Sequence, residues 1–168
     1  MGFTAAGIST STVTTDQQAP LGFVLTAPCS TSGGGMCEWV YVFNDDAASF
    51  TEGTAVYRDP SATTHDWYGG LLTTAVVSRP YVIGIAQHTI AAGSYGFVLK
   101  KGVGSVLAGS AGLAADLEFT SGGSANGTVL AVVANADATT DTHNSTLGHA
   151  GTIIGAGAIG TAFISCAG

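Results

Sequence analysis

The sequence reads as all-β, an antiparallel β-sandwich or small β-barrel with long loops and an extended N-terminal arm. Three observations carry this reading. Twenty-five glycines and only four prolines punctuate the 168 residues at short intervals, and glycine is the residue tight turns demand. Between these marks lie runs of about four to eight residues rich in Val, Ile, Thr, Tyr and Phe, the lengths and types of strands. Their spacing of roughly 8–12 residues leaves no room for crossover helices, which points to antiparallel pairing rather than a parallel α/β sheet.

Taken in order, the expected strands are Leu21 to Thr26, Cys37 to Asn44, Ala55 to Arg58, Thr74 to Val77 and Val82 to Gln87. Tyr95 to Lys100, Gly102 to Leu107, Thr128 to Ala134 and Gly160 to Cys166 complete the set. Glu38-Trp39-Val40-Tyr41-Val42-Phe43 and Gly96-Phe97-Val98-Leu99-Lys100 are the densest in side chains that pack on a pleated surface. The best helical candidate is a short Ala/Leu turn around Leu113 to Leu117. Residues 1–18, rich in Thr and Ser, read as an extended arm that becomes ordered on a neighbouring subunit. Residues 19–168 read as one all-β domain, with Asn135 to Gly148 as a long surface loop. No internal repeat is read from the chain.

Charged residues make up 9 % of the chain, against about 25 % in an ordinary soluble domain. The surface is therefore neutral and polar, or covered by partners. Four basic residues, Arg58, Arg79, Lys100 and Lys101, stand against eleven acidic ones for a net charge of −7. That is too little positive charge to neutralise a run of phosphates, which excludes direct nucleic-acid binding. No apolar stretch reaches the roughly 18 residues of a membrane helix. Met1-Gly2-Phe3-Thr4 has neither a basic nor an apolar leader region and Ala6 breaks the myristoylation pattern, so the expectation is a protein without secretory signal or lipid anchor. Cys29, Cys37 and Cys166 have no metal-ligand spacing. Cys29 and Cys37 flank a Ser/Gly loop and could face each other across a hairpin, but for a protein made in the cytosol a reduced pair is expected.

Several motifs suggest chemistry, and each has a plainer account. Gly155-Ala156-Gly157-Ala158-Ile159-Gly160 spells GxGxxG after Thr152-Ile153-Ile154, but only eight residues follow. A dinucleotide site needs a helix and a distant acid there. His65, His88, His143 and His149, with Asp66 beside His65, lack metal spacing and read as polar loop residues. Asp45-Asp46 after Asn44 reads as a turn. Asp116 with Glu118 could only be a glycosidase pair if the fold set their separation, and apart from Trp39 and Trp67 nothing sugar-binding accompanies them. Asn126-Gly127-Thr128 and Asn144-Ser145-Thr146 spell glycosylation acceptors without a secretory context. No Ser or Cys sits in a nucleophile signature. The reading is therefore of a non-enzyme with no catalytic, metal or cofactor residues.

The stretch from Tyr81-Val82-Ile83-Gly84-Ile85-Ala86 through Ala92-Gly93-Ser94-Tyr95-Gly96-Phe97-Val98-Leu99-Lys100-Lys101-Gly102 resembles tailed-phage head proteins of the decoration, cement or capsid-stabilising kind. Their pattern is a G-x-A, polar residues, an A-G, an aromatic strand, a G and a short apolar strand. Leu21-Gly22-Phe23-Val24 and Gly34-Gly35-Met36-Cys37-Glu38-Trp39-Val40-Tyr41-Val42 are similar to the upstream part of that pattern, and the order holds over most of residues 20–134. The resemblance implies a virion structural protein that is assembled in the host cytoplasm. It would sit on the capsid exterior on the major capsid protein, often as a homo-oligomer (trimer or dimer), with no active site. The alternative is a carbohydrate- or receptor-binding module of a phage tail, with Trp67-Tyr68 beside Gly69-Gly70 as a stacking platform.

Overall fold

The computed structural model describes residues 4–5, 7–29, 34–58, 69–72, 82–122, 125–132 and 146–166. Among them there is no helix. The strands are β1 (Thr4–Ala5), β2 (Ile8–Ser9), β3 (Val24–Pro28), β4 (Met36–Asn44), β5 (Ala55–Arg58), β6 (Gly69–Leu72), β7 (Val82–Ala86), β8 (Tyr95–Leu107), β9 (Glu118–Ser121), β10 (Val129–Ala131), β11 (Gly148–Ala150) and β12 (Ile159–Ser165). β1 and β2 form a small hairpin, and the other ten make one sheet in the order β10-β9-β11-β12-β8-β7-β5-β6-β4-β3, with β8 also paired to β4. Every pairing is antiparallel except that of β4 with β6. The sheet as a whole ends in β3 and β10 and is not closed into one barrel. It folds over itself in a sandwich-like arrangement, within which the β8–β4 pairing joins five strands, β4-β8-β7-β5-β6, in a ring.

Side-chain alternation explains the strands. In β3, Leu25 and Ala27 are buried while Val24, Thr26 and Pro28 are exposed, the period of a half-covered strand. β7 is buried at all five positions and so lies covered on both faces. The two expected strands on either side of Lys101 are one thirteen-residue strand, β8. Gly102 does not break it, and its missing Cβ leaves the space taken by the sulfurs of Cys37 and Cys29. The expected Ala/Leu helical turn at Leu113 to Leu117 is not helical. Leu113 bridges to Ile154, and a tight turn follows in which Asp116 has φ 61°. The expected strand Thr74 to Val77 lies outside the described residues, as does nearly all of the Asn135 to Gly148 loop.

The fold contains a repeat that the sequence reading missed. In the first unit β4 pairs with the start of β8, β8 with β7, β7 with β5, β5 with β6, and β6 returns in parallel to β4 at Phe43↔Gly69. In the second unit the end of β8 pairs with β12, β12 with β11, β11 with β9 and β9 with β10, and Val129 returns in parallel to Ala108. Order and directions are the same, and β8 belongs to both units. Single positions correspond as well. Phe50 bridges Ile90 in the first unit as Leu113 bridges Ile154 in the second. Gly93 (φ 70°) matches Gly157 (φ 66°), and Gly53 (φ 83°) matches Asp116, the only non-glycine with positive φ among the described residues. The underlying spelling is Gly84-x-Ala86-x3-Ile90-x-Ala92-Gly93-x2-Gly96, repeated as Gly148-x-Ala150-x3-Ile154-x-Ala156-Gly157-x2-Gly160.

Each unit has its own core. Val42, Phe50, Val56, Ile83, Ala86, Ile90 and Val98 fill the first. The corresponding Val106, Leu113, Phe119, Leu147, Ala150, Ile154 and Ala162 fill the second. Burying each larger side chain is worth roughly 1.5–3 kcal/mol. A row on the outer side of the first unit, Ala55, Ile85, Leu99 and Trp39, is buried in the same cluster as the second core. Polar contacts lock this joint. Gln87 brackets Ser105, its Oε1 accepting from Ser105 N (2.7 Å) and its Nε2 donating to Ser105 O (3.0 Å). Ser105 Oγ donates to Glu52 Oε1 (2.8 Å), Leu107 N to Gly53 O (2.8 Å) and Ala55 N to Gly127 O (2.7 Å).

Two local features bear on the expectations. Over residues 7–18 the N-terminal segment makes contacts with its own chain. Thr14 and Tyr95 exchange backbone bonds (3.1 and 2.7 Å), Gln18 N donates to Tyr41 Oη (3.0 Å), and Val13 packs on the first core. Cys29 and Cys37, expected to be reduced, form a disulfide across the β3–β4 hairpin, with Cα atoms 5.0 Å apart. Ala27↔Cys37 and Cys29 N→Gly35 O set that register.

Candidate functional site

The row that the joint buries in the first unit has an exposed counterpart in the second. Ala55, Ile85 and Leu99 correspond to Glu118, His149 and Phe163, which lie side by side on adjacent strands through the pairs His149↔Glu118 and His149↔Phe163. The imidazole of His149 stacks on Phe163 with ring centres 5.4 Å apart and 26° between planes. Asp116, Glu118, Thr146, His149, Phe163 and Ser165 line an open groove of about 410 Å³. Thr146 Oγ1 donates to Glu118 Oε2 at 3.2 Å. The residues that grip the next unit are also gone, since Gly151 and Ala115 stand where Gln87 and Glu52 stand in the first unit. The second unit therefore presents an open, polar face where the first presents the apolar row of the joint.

The groove brings His149, expected as a polar loop residue, beside Asp116 and Glu118, which the sequence shows only as a pair of acids. The signal for it was the Gly84-to-Gly96 spelling and its recurrence at Gly148 to Gly160. Chemically the groove holds two carboxylates, an imidazole and two hydroxyls around one ring. Among the described residues, no group of three or more His, Cys, Asp or Glu is placed to hold a metal.

The remaining candidates fall elsewhere. His65, Asp66, Trp67, Tyr68 and His143 lie outside the described residues, and Trp39 is a buried core residue. Asp45-Asp46 form the turn expected of them, Asn44 Oδ1 accepting from Asp46 N and Asp46 Oδ1 from Ala48 N, both at 3.0 Å. Gly155 to Gly157 form a turn into β12, so strand follows where a dinucleotide site needs helix. Burial pushes the Cys166 thiol up to about 12 despite nearby Lys100. At neutral pH it is a protonated core side chain and no nucleophile. His88 lies in the loop after β7, as expected, but is not exposed. It is half-buried, its Nε2 lacks a partner, and burial holds its pKa below the usual value of 6.5.

Large apolar side chains reach the surface in two groups. Phe23, Val24 and Met36 do so around the β3–β4 hairpin, and Leu117, Ile153, Ile159 and Phe163 on the second unit. Comparison with known protein families, characterised proteins and solved structures finds no match to this chain.

Proposed function

We propose that this chain is a non-enzymatic structural protein of a virus particle, binding the outer surface of a tailed-phage capsid and stabilising the head lattice. The observation that carries the reading is a low-charge, all-β surface with large apolar side chains exposed on it, in a chain whose glycine and strand pattern resembles head decoration proteins. A cement needs many small contacts spread over a large area. Few charges mean little desolvation cost when that area is covered. A copy that touches two neighbouring capsomers at once gains effective concentration at each. Quantitative composition of purified particles tests the reading. A copy number close to that of the major capsid protein is expected, and a handful per particle would overturn it.

One observation favours a second reading, a carbohydrate- or receptor-binding module of a tail. Tail modules are commonly built from repeats, and this chain contains one, with a groove of carboxylates, hydroxyls and stacked rings on its second unit. Negative-stain images of particles labelled with antibody to the protein separate the two, by label over the head or label on the tail.

A further inference from the structure

The two units differ at one sheet edge. In the first, the residue after the Gly93-Ser94 turn is Tyr95, whose amide and carbonyl point away from β4. Both are taken by Thr14 in an antiparallel bridge, and Val13 beside it packs on the first core. In the second unit the residue after the Gly157-Ala158 turn is Ile159, with the same backbone setting. Ala108 N bonds to Ala158 O as Asn44 N bonds to Ser94 O. Leu107 N is taken by Gly53 O, so the Ile159↔Leu107 pair exchanges no ladder bond through it. The amide and carbonyl of Ile159 therefore point away from β8, and no described residue bridges them as Thr14 bridges Tyr95. Around this edge Ile159 is 49 % exposed and Ile153 78 % exposed, the largest exposure of any apolar side chain described.

An unpaired edge flanked by exposed isoleucines is a template for strand addition. What fits it is known from the filled copy of the same slot, which holds an uncharged extended segment with a β-branched residue followed by a hydroxyl-bearing one. We propose that the edge at Ile159 is a docking slot for an extended segment of a partner polypeptide of that chemistry, seated as Val13-Thr14 is seated at Tyr95. The backbone supplies an amide donor and a carbonyl acceptor, and Ile153 and Ile159 supply the apolar contact. The proposal does not depend on the viral assignment, because any extended uncharged partner strand meets the same two groups. Charged or proline-containing segments are excluded, the first by the desolvation of the edge and the second by the missing donor.

The full chain and a synthetic, terminally blocked peptide with the uncharged sequence of residues 9–15 test it. In the free protein, amide exchange at Tyr95 should be slow and at Ile159 at least about a hundredfold faster, since only the first is bonded. Titrated peptide should shift the resonances of Ile159 and Ile153 saturably and slow exchange at Ile159. Ile159→Lys, a surface change that leaves the circular dichroism spectrum intact, should weaken binding at least about tenfold. A peptide with proline in place of Thr14 should lose about as much. An Ile159 amide already as slow as that of Tyr95, binding indifferent to both changes, or no saturable binding at about 1 mM peptide would overturn the proposal.

Discussion

Glycines at which one strand crosses close to another are the most exacting residues in this molecule. A Cβ on Gly148 would meet the backbone carbonyl of Phe163 and the ring of Phe119, and its φ of 147° disfavours any side chain. Gly84, its counterpart, abuts Val98 and the Leu99 carbonyl at 2.7 and 2.9 Å. Gly148→Ala and Gly84→Ala should each destabilise the fold by about 1–3 kcal/mol, read as a lower urea midpoint with unchanged slope. Gly155→Ala, whose Cβ would meet only Ala158 at 3.8 Å, should shift the midpoint by less than about 0.5 kcal/mol. His88 gives a pH dependence. Its folded pKa lies below the unfolded value, so the unfolded chain takes up the proton first. Its contribution is fully present above about 6.5 and falls away as pH drops towards the folded value. The loss of thermal stability between pH 7.5 and 5 should thus be smaller in His88→Gln than in the parent, by about the share of one titrating group. Equal losses would assign the dependence to other groups.

Elements were legible to different degrees. β4, β5 and β7 were readable within a residue or two because dense β-branched and aromatic runs end at Gly, Asn or Asp. β9 and β11 were not, since Glu118-Phe119-Thr120-Ser121 and Gly148-His149-Ala150 are too short and polar to stand out. Pairing makes them strands, β9 with β10, β11 with β12, and the two with each other. The contacts of the N-terminal segment with its own chain were illegible for a similar reason. Thr and Ser side chains bury little area, and the bridge of Thr14 to Tyr95 is a backbone interaction that composition does not reveal. Deleting residues 1–18 should therefore leave a folded domain with a melting temperature lower by several degrees, because Tyr95 and Tyr41 lose their partners. The disulfide belongs to this scale too. It closes a loop with a sequence separation of 8, worth roughly 2–3 kcal/mol by loop-closure entropy. Cys29→Ser/Cys37→Ser should lose about that much in urea unfolding, and reductant should have the same effect on the parent but none on the double variant.

At the scale of the whole molecule, the chain is one unit used twice. The first copy buries its outer row under the second, and the second leaves the matching Glu118, His149 and Phe163 in the open. The proposed role in a lattice rests on a charge content of 9 % and a glycine-rich chain, since such a surface is covered at little desolvation cost. The groove and the open edge at Ile159 could not be read without the repeat, because each is defined by comparison with its filled counterpart. The central claim is that the protein stabilises an assembled shell by binding it. A ligand of the intact shell alone adds stability as the logarithm of its free concentration over Kd, about 2.7 kcal/mol per site at a hundredfold excess. The most direct measurement is the temperature at which particles release DNA, for complete particles, particles lacking the protein, and the latter with purified protein added back. Release at a lower temperature without the protein, restored by a dose that saturates, is the predicted result; particles equally robust with and without it at every temperature would contradict the account.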